Sequence, residues 1–146
     1  MRVHFHLDTR ASPEQVFTAF TDVSERRLEV WSKTLDPAKY EVRDQGESWA
    51  VVREGSAGVD LWVVLRYEWA APDRVSWTLV DSDHCDRGAG EVLITPRDGG
   101  GSRVDVTIHH SGGRGLRGRA VLLAQRVLGP LAFPRTWRAA LDRLAG

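Results

Sequence analysis

The sequence predicts an α+β fold in which a curved antiparallel sheet is covered on one face by a helical tail. Three observations carry this. The chain opens on a strand-like run, Val3-His4-Phe5-His6-Leu7, and passes at once to a helix start at Ser12-Pro13. After the short helices that follow, only strand and turn signals occur until about Gly113. The tail is then the one long element left to bury the apolar face of the sheet.

Each element has its own local reason. In residues 3–9, Val3, Phe5 and Leu7 point one way and Arg2, His4, His6 and Asp8 the other, the period of a half-buried strand. Ser12 is a good N-cap, Pro13 suits the first helical position, and Gln15 stands at capping-box spacing. Val16, Phe17 and Phe20 supply the buried stripe of that helix. A second short helix is expected from about Ser24 to Trp31, ending before Asp36-Pro37.

The sheet proper begins at Tyr40 to Val42 and continues through Trp49 to Val52, with turns at Gly46 and at Gly55 to Gly58. The next strand, Val59 to Trp69, places Leu61, Val63, Leu65, Tyr67 and Trp69 on one face. Val75, Trp77 and Leu79 alternate in the strand after Pro72-Asp73. A polar loop is expected at 81–88, then a strand from Ala89 to Thr95 and a hairpin through Asp98-Gly99-Gly100-Gly101. Val104, Val106 and Ile108 form the last strand, with His110 on their face. In the tail, Leu116, Ala120, Leu123 and Val127 make an apolar stripe at helical spacing. Gly129-Pro130 and Pro134 predict a kink or two end-to-end segments, because proline lacks the N–H donor and clashes with the preceding turn.

Composition narrows the function. The 146 residues suit a single domain spanning 1–146, and 42% hydrophobic with 27% charged residues is ordinary globular composition. Twenty basic and twenty acidic side chains cancel, so no overall field favours nucleic acid. Cys85 is alone, which excludes an intramolecular disulfide. No segment approaches the ~20 apolar residues of a membrane span, and the opening strand is unlike a signal peptide. A cytoplasmic monomer or homodimer without stable membrane insertion is expected.

The layout resembles the START-like (SRPBCC) superfamily, and within it the polyketide cyclase/dehydrase and lipid transport group. The resemblance rests on Ala11-Ser12-Pro13-Glu14-Gln15-Val16-Phe17 with Asp22, on Ala71-Pro72-Asp73-Arg74-Val75-Ser76-Trp77, and on Gly90-Glu91-Val92-Leu93-Ile94-Thr95-Pro96 leading into Ser102-Arg103-Val104. It implies a helix-grip fold: a seven-stranded antiparallel sheet wrapped around the C-terminal helix and enclosing an apolar cavity. It implies no particular reaction, since the superfamily includes carriers, sensors, cyclases and hydratases.

With sequential strands paired and the first strand beside the last, the concave face collects Phe5, Leu65, Tyr67, Trp77, Leu79, Val92, Ile94 and Ile108. Phe20, Trp31, Leu123 and Trp137 close it from the helices. The expected occupant is a small hydrophobic ligand: a lipid, fatty acid or aromatic polyketide-like molecule. The same pairing gathers Asp81, Asp83, His84 and His110 at one rim, so the rival reading is an aromatase/cyclase or dehydratase using Tyr67, Asp81 and His110 as acid–base groups. Solvated loop residues would look the same. His4, His6, His109 and Asp105 could share the outer face, but they lack the tight spacing of zinc motifs, and no metal or cofactor is expected. Cys85 beside His84 is adjacency in sequence, which is not catalytic geometry. Arg114, Arg117, Arg119 and Arg126 make the start of the tail basic, a face that could meet anionic lipid or simply water.

Overall fold

A computed structural model describes residues 1–146. The order of elements is β1 (Arg2–Thr9), α1 (Pro13–Thr21), α2 (Arg26–Val30), a 3-10 turn (Pro37–Lys39), β2 (Glu41–Gln45), β3 (Trp49–Gly55), β4 (Trp62–Ala70), β5 (Arg74–Ser82), β6 (Cys85–Pro96), β7 (Ser102–Gly113) and α3 (Gly115–Asp142), with a last 3-10 turn at Arg143–Ala145. The seven strands form one sheet in the order β1-β7-β6-β5-β4-β3-β2, every neighbour antiparallel. This is the expected helix-grip arrangement, with α3 lying against β1 and β7.

The start of α1 forms as its residues dictate. The Ser12 side chain accepts from the Gln15 N–H at 3.1 Å and Gln15 Oε1 accepts from the Ser12 N–H at 2.9 Å, which satisfies two donors that a helix end leaves free. At the other end of the chain, Asp142 accepts from the Thr9 hydroxyl at 2.7 Å and from the Arg10 N–H at 2.9 Å. That pair of bonds fastens the end of α3 to the end of β1. Val3, Leu7, Val16, Val52, Val75, Val92, Val104, Val106 and Leu141 are fully buried and make the centre of the core.

Three sequence expectations are refined or corrected by the structure. The polar loop at 81–88 is instead strand on both sides of a tight turn at Asp83-His84, since β5 runs to Ser82 and β6 starts at Cys85. A β-bulge lies just before it, because Val64 faces Asp81 while Leu65 faces Leu79, leaving Val80 as the extra residue. The bulge reverses the alternation: Asp81 turns out to solvent and Ser82 turns in.

Of the two readings of the tail, the single helix holds: its 28 residues run through Pro130 and Pro134. A proline inside a helix costs roughly 3 kcal/mol. Trp137 opposes that loss by packing on Phe5, Phe20, Trp31 and Phe133, with ring centroids 5.4 to 6.2 Å apart. Each such contact adds about 0.5–1.5 kcal/mol beyond the area buried, which offsets part of the cost of the two prolines.

The third correction is rotational. Leu116, Leu123 and Val127 face solvent, and the inward face of α3 carries Gly118, Leu122, Gly129, Ala140 and Leu141. Leu123 therefore does not close the cavity.

Candidate ligand cavity

Between the concave side of the sheet, α2 and α3 lies a cavity of about 180 Å³. Among the residues expected there, Phe20, Trp31, Leu65, Tyr67, Trp77, Ile108 and Trp137 line it, and so does His110. Val92 and Ile94 are buried in the core beside it, and Leu79 is half-buried away from it. Glycine makes room for two of the walls. Gly90 stands opposite Trp77 in the register, and a Cβ there would collide with the indole. A Cβ at Gly88 would come within 2.7 Å of the His110 ring.

The polar part of the wall escaped the sequence reading. Arg27 from α2 and Glu54 from β3 form a buried ion pair, Nη2 to Oε1 at 3.1 Å. The Tyr67 hydroxyl donates to the same Glu54 oxygen at 2.5 Å. Arg27 also donates to the Phe20 carbonyl at 3.2 Å, and its guanidinium lies 4.9 Å from the centre of the Tyr67 ring. Burial alone would lower the affinity of Arg27 for its proton, but the Glu54 carboxylate outweighs it and holds Arg27 charged. Burial, reinforced by the negative Glu54, pushes the Tyr67 phenol well above its ordinary value. A legible signal did exist. In β3 the buried positions alternate as Ala50, Val52, Glu54, so the period of two already pointed Glu54 inward.

A second polar cluster sits where β5, β6 and β7 meet. The bulge and tight turn bring Ser82, His84 and Cys85 inward beside His110, while Asp81 is exposed and takes no part. His84 Nδ1 lies 2.8 Å from Asp83 Oδ1 and 3.0 Å from Ser82 Oγ. Cys85 Sγ is 3.9 Å from His110 Nδ1. One ligand atom each from His84, Cys85 and His110 lies within 4.8 Å of the others, a looser set than the near-contact of a closed zinc site. Burial, then the neighbouring His84 and N-terminus, lowers the His110 pKa to about 4, so its ring is neutral near pH 7. Burial raises the Cys85 thiol, which makes it a poor nucleophile. On the outer face His6 stands opposite Asp105, while His4 faces Thr107 and His109 faces Arg2.

Four buried polar atoms on the cavity wall have no hydrogen-bond partner: Arg27 Nε, Thr34 Oγ1, His110 Nε2 and Gln125 Oε1. Buried polar groups are rarely left so. On the far side of Glu54, His110 and Gln125 lies a second hollow of about 150 Å³, which these three residues share with the cavity.

A sheet gripping one long helix over an aromatic cavity defines the START-like class. The chain belongs to the polyketide cyclase/dehydrase and lipid transport family, which it matches over residues 2–146. Similar solved structures agree on the fold. A Thermus thermophilus protein, TTHA0849, is 18% identical with TM-score 0.76, covering 99% of this chain and 97% of that one. The Streptomyces aromatase/cyclase Zhui is 16% identical with TM-score 0.78, covering 99% and 93%. A START superfamily protein from Mycobacterium smegmatis is 16% identical with TM-score 0.73, covering 98% of each chain. No curated protein sequence matches the chain. No helix is long and apolar enough to cross a membrane.

Proposed function

We propose that this protein binds a small, ring-sized apolar molecule bearing polar substituents, held in the cavity between sheet and α3. The observation that carries this reading is the pairing of aromatic walls with the four unpartnered polar atoms of Arg27, Thr34, His110 and Gln125. Phe20, Trp31, Trp77 and Trp137 offer ring faces and edges, and the polar atoms fix orientation, which is the usual division of labour in a ligand site. Size selects the ligand. A cavity of 180 Å³ holds roughly six water volumes at about 30 Å³ each. That suits a mono- or bicyclic aromatic or a short acyl group.

Likeness to an aromatase/cyclase favours a second reading, acid–base chemistry on a keto compound. The titration properties weigh against it. A His110 with pKa about 4 is a weak base near neutrality, and a Tyr67 raised well above its ordinary value is a weak acid. General catalysis works best with pKa values near the working pH. Binding is the better-supported role.

Trp31, Trp77 and Trp137 line the cavity, so a ligand there will change tryptophan fluorescence. Titration with naphthol, indole and short acyl acids, with native mass spectrometry in parallel, is expected to give saturable quenching and a one-to-one complex with at least one ring compound. Absence of both signals across the series would overturn the proposal. Consumption of an added β-keto thioester, lost in His110→Phe, would favour the cyclase instead.

A further inference from the structure

The stripe that sequence periodicity assigns to the core is the one α3 turns to solvent. Leu116, Leu123, Val127, Leu128 and Leu131 are 58% to 85% exposed, and they are most of the large hydrophobic side chains that the whole protein exposes. An amphipathic helix buries one apolar stripe. This one carries two, and the fold uses only the other, through Leu122, Phe133, Trp137 and Leu141.

The flanks of the free stripe are basic. At 3.6 residues per turn, Arg119 and Arg126 border it on one side, and on the other Arg117 and Arg135 lie between Leu131 and Leu128. From Gly115 to Leu141 the helix contains no acidic residue. Arg117 reaches Asp83 at 3.4 Å, but Arg119, Arg126 and Arg135 form no ion pair. On the Arg126 side the basic surface continues, because Arg126 shares an open hollow with Arg2, His4 and His109 of the adjoining strands.

From this pattern we infer that α3 is a docking face for an anionic membrane surface. The apolar stripe lies along the helix, so it would sink into the headgroup boundary while the arginines on both sides meet lipid phosphates. The charge pattern chooses this occupant. A second copy packed helix to helix about a two-fold axis would set arginine against arginine, with no acid on the helix to answer them. The protein lies on the bilayer and does not span it, since no helix has the apolar length to cross. The inner face of the same helix supplies Gln125, Phe133 and Trp137 to the cavity wall, so docking brings that wall to the lipid.

The test uses the full chain in vesicle flotation, with vesicles of phosphatidylcholine alone and of phosphatidylcholine mixed equally with phosphatidylglycerol. Binding is expected to the anionic vesicles only and to weaken as salt is raised. Leu123→Asp with Val127→Asp is expected to abolish it. Both positions are exposed, and an unchanged thermal unfolding midpoint shows that the fold survives. Arg119→Ser and Arg126→Ser should each weaken binding about fivefold, the effect of one charge near an anionic surface. Three outcomes would overturn the inference: no flotation with anionic vesicles at low salt, flotation indifferent to the Asp pair, or a dimer in solution that the Asp pair dissociates.

Discussion

The two polar clusters of the interior are built in opposite ways. Arg27, Glu54 and Tyr67 bring full charges under cover and pair them, with Glu54 as the shared acceptor and only Arg27 Nε left without a partner. Ser82, His84, Cys85 and His110 meet through weaker polar contacts, and both His84 and His110 keep an unpartnered ring nitrogen. The first arrangement is rigid because loosening Arg27 or Glu54 strands a buried charge. The second carries no buried full charge pair, and its His110 takes up a proton only near pH 4. One cluster braces the cavity and the other gives it chemical responsiveness.

The comparison is broken most forcefully at Arg27. Arg27→Met leaves Glu54 buried without its cation, and about 3–5 kcal/mol of stability should be lost. Pairing it with Glu54→Leu should recover part of that loss, since the stranded charge is gone while the buried Tyr67 hydroxyl loses its acceptor. Urea denaturation of the single and double variants measures both. Equal losses in the two would mean that packing, and not charge, sets the cost.

Acid separates the clusters next. The His110 pKa is depressed from 6.5 to about 4 by burial and neighbouring positive charge. Below pH 6.5 the unfolded chain takes up a proton that the folded chain refuses until about pH 4. Stability is therefore complete above pH 6.5 and falls through that window, by about 3 kcal/mol at 1.36 kcal/mol per unit. Asp22, Asp83 and Asp142, whose pKa values are lowered from 3.8, act only at lower pH. Unfolding free energies measured between pH 7 and 4 should show the slope in the native protein and a flat profile in His110→Phe.

Tyr67→Phe tests the brace more gently. It removes one hydrogen bond to a charged acceptor, worth about 1.5–3 kcal/mol, while Arg27 stays paired. Chemical denaturation should register that loss with no change in its pH slope between 7 and 4. Smallest of all is Asp81→Asn. Exposed on the outer side of the bulge, it should change stability by less than about 0.5 kcal/mol and leave tryptophan quenching by ligand unaltered. Any loss of binding there would restore Asp81 to the site.

How much of this was legible follows from the range of each cause. The capping box at Ser12 and Gln15, the alternation of β1 and β7 and the glycine-rich hairpin depend on neighbours a few residues apart, and they stand where periodicity puts them. Most of the cavity's apolar wall was accessible by the same logic, through Leu65, Tyr67, Trp77 and Ile108 on alternating strands. Glu54 was readable from the inward rhythm of Ala50 and Val52, but the expected strand stopped at Val52, short of it. Arg27 had no such signal. Its partner lies 27 residues away on another element, and only the packing of α2 against the sheet brings them together.

Local periodicity by itself determined that this chain makes a strand, two short helices, a meander of strands and a helical tail, because those choices depend on steric preferences and on contacts within a turn or a pleat. Tertiary structure alone decided which stripe of α3 turns inward, since both are apolar and at helical spacing. The seat offered by Phe5, Phe20 and Trp31 to Trp137 fixes that rotation. It likewise decided that Asp81 leaves the rim, through a single extra residue at Val80 whose position depends on strand register and not on composition.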